Sequence, residues 1–404
     1  MFLKGCRIHW KKNCSKSLNS IKRSIWKGNN GNMEFRDLKQ QYQLHKTDMD
    51  YAIQNVIANA NFIQGKQVSE LEEVLAEYVG VKHCITCANG TDALQLALMT
   101  WEIGTGDAVF VPDFTFFSSG EVVPLVGATP IFVDIDEDTY NINPQSLEQA
   151  VQSVLENTNL KPKVIIAVDL FGQPADYDQI RKIAEKYHLL LLEDGAQGFG
   201  GRIGIKKACS FGDISTTSFF PAKPLGCYGD GGAVFTDNDA WADLIRSYRI
   251  HGKGLDKYDN VRIGLNSRLD TIQAAILLEK IKFFDEEIKE CNQVAEEYNK
   301  GLQGVVKVPV VKEGFVSSWA QYTICFQNNE KREQAIKKLK ENGIPTAVYY
   351  RKPMHMQQAF KDKMVVELKY IVTEKVCERC LSLPMHPYLD TNSIRKIVEC
   401  ILKI

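Results

Sequence analysis

The sequence predicts an α/β protein with a large, mainly parallel sheet and a small α+β domain at its carboxyl end. Three observations carry this. From about residue 66, amphipathic helical stripes alternate with short apolar runs. A Glu- and Lys-rich helical pattern then runs from near residue 270 to about 302 and reads as the link between two domains. Beyond it the pattern is mixed, with strand, helix, strand and helix in turn.

Each element follows from its periodicity. Val68, Leu71, Val74, Leu75 and Tyr78 recur at helical spacing, residues 83–86 read as a short strand, and residues 92–99 as another helix. Runs at 108–111, 131–133, 164–170, 189–192 and 233–236 are apolar almost throughout, the pattern of strands covered on both faces. Amphipathic segments such as 146–155 and 177–187 separate them. In the last third, 319–326 and 346–350 read as strands and 331–342 and 393–402 as helices. The expected organisation is a leader at 1–32, a large domain at 33–280 with an amino-terminal segment, and a small domain at 281–404.

Composition narrows the class. A chain of 404 residues with 44% hydrophobic and 25% charged residues is long enough for two domains around a sizeable core. The longest apolar runs are far short of a membrane span, so no membrane association is expected. The formal net charge is −1, but residues 1–32 hold eight Lys or Arg and no acid, which leaves the rest at −9. A body of that charge gives no support to nucleic-acid binding. The leader lacks an apolar core and a cleavage site, so it reads as a transit-like peptide, a disordered arm or sequence upstream of a start at Met33. Eleven irregularly spaced cysteines point to reduced thiols and a cytoplasmic location. Cys84 and Cys87 lie three apart in a strand and face opposite sides of it, a poor grip for a metal, and no metal site is expected.

In sheets of this kind ligands sit beyond the carboxyl ends of the strands, so those loops hold the candidates. Asn89-Gly-Thr91 follows the first strand and opens a helix, where free amides of Gly90 and Thr91 and a hydroxyl could cradle a phosphate; a plain capping turn is the alternative. Phe116, after the second, could stack on a planar ring or simply pack in the core. Asp194 and Gln197 follow four leucines; a carboxylate there wants a cationic partner such as a protonated ring nitrogen, and Gln197 could bond a ring oxygen. Finally, Ser218 precedes Lys223 in a glycine-punctuated segment, Ser218-Phe-Phe-Pro-Ala-Lys223 through Gly229-Asp-Gly-Gly232. Its amine could condense with an aldehyde, or it could be a surface lysine in a loop.

In this order, and with Asn89-Gly-Thr-Asp-Ala-Leu94, Glu193-Asp-Gly-Ala-Gln197 and Gly264-Leu-Asn-Ser-Arg-Leu-Asp270, the chain resembles the DegT/DnrJ/StrS family of nucleotide-sugar aminotransferases from about Met33 to its end. The resemblance implies the fold type I (aspartate aminotransferase-like) architecture, pyridoxal 5′-phosphate as cofactor and Lys223 as the catalytic residue. It implies cofactor contacts from Gly90, Thr91, Phe116, Asp194, Gln197, Ser218, Lys223 and Asn266, with Asn266 reaching the neighbouring subunit of a homodimer whose active sites are shared. Glutamate would be the amino donor, leaving as 2-oxoglutarate, and a nucleotide-linked ketosugar the acceptor in aminosugar and surface-polysaccharide synthesis.

The segments 218–232, 266–275 and 382–388 look most like family members that aminate a UDP-linked 3-oxoglucuronate. Phe62, Arg268, Tyr349 and Tyr350 are the implied substrate contacts. Tyr349-Tyr350 stands where a His-Tyr pair is usual, Arg351 where proline is usual, and Gly195 where many relatives carry alanine. A C4 enzyme for UDP- or dTDP-4-keto-6-deoxy sugars and a non-catalytic, regulatory pyridoxal phosphate-binding protein are the alternatives. A plain amino-acid aminotransferase would need a fixed arginine for a second carboxylate, and the sequence points to none.

Overall fold

The computed structural model describes residues 33–256 and 258–404. The basic leader therefore lies outside the described residues. Among the described residues, nine strands precede residue 240: β1 (His83–Cys87), β2 (Asp107–Pro112), β3 (Thr129–Val133), β4 (Lys161–Val168), β5 (Leu190–Asp194), β6 (Arg202–Ile203), β7 (Lys206–Lys207), β8 (Ile214–Ser218) and β9 (Gly232–Thr236). Seven form one sheet in the order β1-β9-β8-β5-β4-β2-β3. Neighbours are parallel except at β9, which runs antiparallel to both β8 and β1. Reversing only β9 leaves the carboxyl ends of β1, β2, β4, β5 and β8 on one edge.

Period-two alternation sends successive side chains to opposite cores. Val109, Val111, Val164, Ile166 and Leu192 bury against one set of helices, among them Gly90–Thr100 and Phe117–Leu125. Phe110, Ile131, Ile165 and Leu191 bury on the other face against Pro144–Asn157 and Tyr177–Tyr187. The same alternation separates Cys87 from Cys84, which belong to different cores.

The interior strand β8, Ile-Ser-Thr-Thr-Ser, has no apolar run and is absent from the sequence-based assignment. It lies buried because its hydroxyls are satisfied inside the sheet: Ser215 donates to Glu193 Oε2 at 2.8 Å, Thr216 to Glu193 O at 3.1 Å and Thr217 to Gly195 O at 3.2 Å. The helices Leu38–Asn59 and Phe117–Leu125 also escape the periodicity reading.

The expected continuous helix from 270 to 302 is two helices, Thr271–Lys280 and Phe284–Leu302. No Gly or Pro marks the break. Phe283 leaves helical geometry and its ring stacks on His45, centroids 3.6 Å apart, while Ile281 and Phe284 turn into the core around Phe199 and Phe235. After the short strand β10 (Phe315–Val316), β11 (Tyr322–Cys325) pairs antiparallel with β12 (Cys380–Leu383). The expected strand at 346–350 is reduced to one bridge, Ala347 with Ser382, and β12 takes its place as the partner of β11. Helix Thr391–Leu402 packs on Phe284–Leu302 and Asn329–Glu341, and the last of these also contacts β12.

Candidate active site

The five aligned strand ends converge on a cavity of about 1090 Å³. At its anion end, Asn89 caps the helix Gly90–Thr100 by accepting from Asp92 N at 2.8 Å, and Ala93 N bonds to Asn89 O. The amides of Gly90 and Thr91 are thereby left to the cavity, at the positive end of the helix. Gly90 is obligatory here, since a Cβ would fall 2.7 Å from Ser218 Cβ. Gly232 approaches as closely from β9, its notional Cβ 2.5 Å from Asn89 O. Thr91 and Ser118 share a hydroxyl hydrogen bond of 2.7 Å beside Ser218.

Across the floor, β5 ends at Asp194, which is 5% exposed. Its Oδ2 accepts from Ser119 Oγ at 2.7 Å and its Oδ1 from Ala196 N at 3.2 Å. Burial raises this carboxyl above the usual carboxylate range, against the Ser119 bond and the charge of Lys223. A carboxylate has room for about four hydrogen bonds, so Asp194 can accept from a ring N–H⁺ as well.

Lys223 sits in a loop closed by Cys227 N to Phe219 O and Lys223 N to Phe220 O, both 2.8 Å. Phe219 beneath it is fully buried. Arg36 donates to Lys223 O at 3.1 Å and braces the loop from outside. Burial lowers the Lys223 amine below the usual lysine range; Asp194 opposes that shift and Arg36 adds to it. The Nζ lies 5.9 Å from the centroid of Phe116, whose half-exposed ring lines the same cavity.

Gln197, also on the floor, accepts from Phe171 N at 2.9 Å and donates to Tyr350 Oη at 3.2 Å. Tyr349 and Tyr350 both line this cavity. Gly195 has a local reason too: a Cβ would lie 2.6 Å from Cys209 Sγ, so the sulfur occupies the space an alanine methyl would need.

Three candidates do not line the cavity of their own chain. Phe62 and Asn266 are exposed and Arg268 is half-buried. They share one loop cluster, joined by the Ile63–Asp270 bridge and by Thr271 N donating to Phe62 O at 2.9 Å. Sequence reasoning also missed Ser119, Ser118 and Arg36. The first two sit on an unrecognised helix and the last lies 187 positions from the lysine it braces.

The residues present suit pyridoxal phosphate. An anion cradle that tolerates no side chain at Gly90, a desolvated amine and a buried acid with spare acceptor capacity occupy one space of the right size. On this architecture the molecule is a pyridoxal phosphate-dependent transferase of fold type I. More narrowly, it belongs to the DegT/DnrJ/EryC1/StrS aminotransferase family, whose model matches residues 43–402. It is 46% identical over 366 residues to the UDP-2-acetamido-2-deoxy-3-oxo-D-glucuronate aminotransferase of Pseudomonas aeruginosa, covering 90% of this chain and 98% of that one. A solved DegT DnrJ EryC1 StrS aminotransferase from Brucella abortus superposes with a TM-score of 0.90 at 49% identity, over 92% of this chain and 99% of that chain. A third likeness is NtdA from Bacillus subtilis, solved with bound PMP (TM-score 0.81, 29% identity, 89% and 81% covered).

Proposed function

We propose that this aminotransferase moves an amino group from glutamate to C3 of a UDP-linked 3-ketosugar, with a 3-oxouronate the favoured acceptor, for aminosugar and surface-polysaccharide synthesis. The observation that carries the reading is the desolvated Lys223 amine placed with Asp194 in one cavity, in a chain 46% identical to a 3-oxoglucuronate aminotransferase.

Pyridoxal phosphate, when bound, supplies the electron sink and carries the amino group between the two half-reactions. Gly90, Thr91 and Ser218 would hold its phosphate, Phe116 one ring face, and Asp194 the protonated ring nitrogen. Gln197 keeps Tyr350 against the floor. A depressed pKa leaves more of the Lys223 amine unprotonated at neutral pH, which a base requires. Its Nζ would take the α-proton of glutamate in the first half and deliver a proton to C3 of the sugar in the second. Asn266 and Arg268 would serve the site of the partner in a homodimer. The nine described cysteines, all unpaired and buried, suit the reducing cytoplasm. Among the described residues, no helix is long and apolar enough to cross a membrane.

The test is product identification with glutamate and a panel of 3-keto and 4-keto UDP- and dTDP-sugars. Amination of a UDP-3-ketosugar is expected, with a loss of at least about 10³-fold in Lys223→Ala. Turnover of 4-keto sugars alone would refute the C3 assignment, and full activity in the variant would refute the role of Lys223.

A further inference from the structure

The charges lining the cavity do not suit a nucleotide sugar unaided. Four carboxylates, Asp92, Glu121, Asp194 and Asp230, face three cations, Lys223, Arg351 and Lys352. Resting on the function proposed above, Lys223 is committed to the cofactor, and the acceptor brings at least a diphosphate. Among the described cavity-lining residues of one chain, only Arg351 and Lys352 remain to meet that negative charge. Of these, the guanidinium can bind two oxygens of a phosphate or carboxylate at once.

The segment that carries Arg351 is fixed at both ends. Upstream, Tyr350 Oη accepts from Gln197 on the floor. Downstream, Met354 N donates to Asp113 O at 2.9 Å, and His355 meets both oxygens of the buried Asp113 carboxylate through its amide at 2.8 Å and its ring at 2.7 Å. The backbone at 351 is thus held at the cavity while the side chain stays movable.

Its present partner is easily exchanged. Arg351 Nη1 lies 3.1 Å from Glu333 Oε1 on the helix Asn329–Glu341, with the side chains 58% and 47% exposed. Exposed pairs of this kind contribute little. Glu333 also keeps a second cation, since Arg332 Nη2 lies 3.0 Å from the same oxygen and the buried Arg332 is anchored to Cys377 O. Losing Arg351 would not leave Glu333 without a counter-charge.

We propose that Arg351 is a specificity-determining residue, parked on Glu333 in the free enzyme and released to the anionic oxygens of the nucleotide sugar when it enters. Those oxygens belong either to the diphosphate or to the sugar carboxylate. Titration calorimetry on cofactor-loaded enzyme with UDP, UDP-N-acetylglucosamine and UDP-N-acetylglucosaminuronate separates the two. Arg351→Gln should weaken binding about tenfold, as expected for a hydrogen-bonded charge. Loss on all three ligands assigns the diphosphate, and loss on the uronate alone assigns the carboxylate. Affinities within about twofold of wild type on all three overturn the proposal. Glu333→Gln removes the competing partner and should tighten the same ligands about two- to threefold, as an exposed pair implies; unchanged or weaker binding overturns the exchange. Wild-type enzyme that binds these ligands but aminates no ketosugar would sink the function and leave the Arg351 result standing.

Discussion

The floor of the cavity and its flank are built by different rules. On the floor, Gly90, Asp194, Ser218 and Lys223 come from the ends of β1, β5 and β8 and the loop beyond, and they line one cavity of their own chain. On the flank, Phe62, Asn266 and Arg268 lie outside that chain's cavity, in the loop cluster joined by the Ile63–Asp270 bridge. One chain thus brings Asp194, Lys223 and the anion turn together in its own cavity, whereas Phe62, Asn266 and Arg268 are left outside it.

The floor's self-sufficiency breaks first at Asp194. Asp194→Asn, assayed at saturating cofactor, should lose about 10²- to 10³-fold in kcat/KM, the scale of deleting a pre-placed electrostatic partner. Ser119 can reverse its hydroxyl toward Thr115 Oγ1, 3.0 Å away, so the asparagine is accommodated. Stability of the cofactor-free protein should move the other way. The folded-state pKa is raised above the ordinary 3.8, so the folded protein holds a proton the unfolded chain has released. Stability then falls as pH rises through that window, and the penalty persists above it. Asparagine removes the penalty, so the variant should be the more urea-resistant at neutral pH and lose that advantage as pH falls towards 3.8. An activity loss together with lower stability at neutral pH would mean that Asp194 is structural.

The proposed dependence of the flank on a second chain is tested by mixing. The loop at 266–268 does touch its own anion turn, where Ala88 N donates to Ser267 Oγ at 3.1 Å, so action within one chain is a real competitor. Lys223→Ala and Asn266→Ala proteins, each impaired alone, are denatured together and refolded. If Asn266 serves the partner, each mixed dimer holds one intact site and about a quarter of full activity returns, by the statistics of a symmetric dimer. If it serves its own chain, no mixed dimer has an intact site and activity stays at the level of the parents.

How far the sequence could be read follows the same division. The anion turn, Asp194 and Lys223 were legible because each is a short local pattern at a strand end. The strand beneath the lysine was not, because Ser215, Thr216 and Thr217 are polar and their burial is licensed only by Glu193 and Gly195 from the neighbouring strand. The break at Phe283 was invisible for a similar reason: it is imposed by stacking on His45, 238 positions away, with no breaker residue nearby. Ser119 and Arg36 likewise act across 75 and 187 positions. Local chemistry shows in a sequence, and its long-range support does not.

The smallest expected effect concerns that support. Gly195 follows Asp194 and is pressed by Cys209 Sγ at a distance no Cβ would tolerate, with Thr216 O 3.2 Å away on the next strand. Gly195→Ala should therefore cost about 1–3 kcal/mol, the range for overpacking a dense interior. Because residue 195 abuts the Asp194 strand end, cofactor affinity should fall with it. Cys209→Ala alone should cost about 1 kcal/mol through the lost sulfur contacts. In the double variant the new methyl moves into the space the sulfur vacated, so the two costs should offset by about 1 kcal/mol or more, the coupling expected of touching residues. Urea unfolding and cofactor titration of the four proteins measure this directly. Additive losses would mean that the strand end yields to the methyl without help from Cys209, and that the floor is softer than its hydrogen bonds imply.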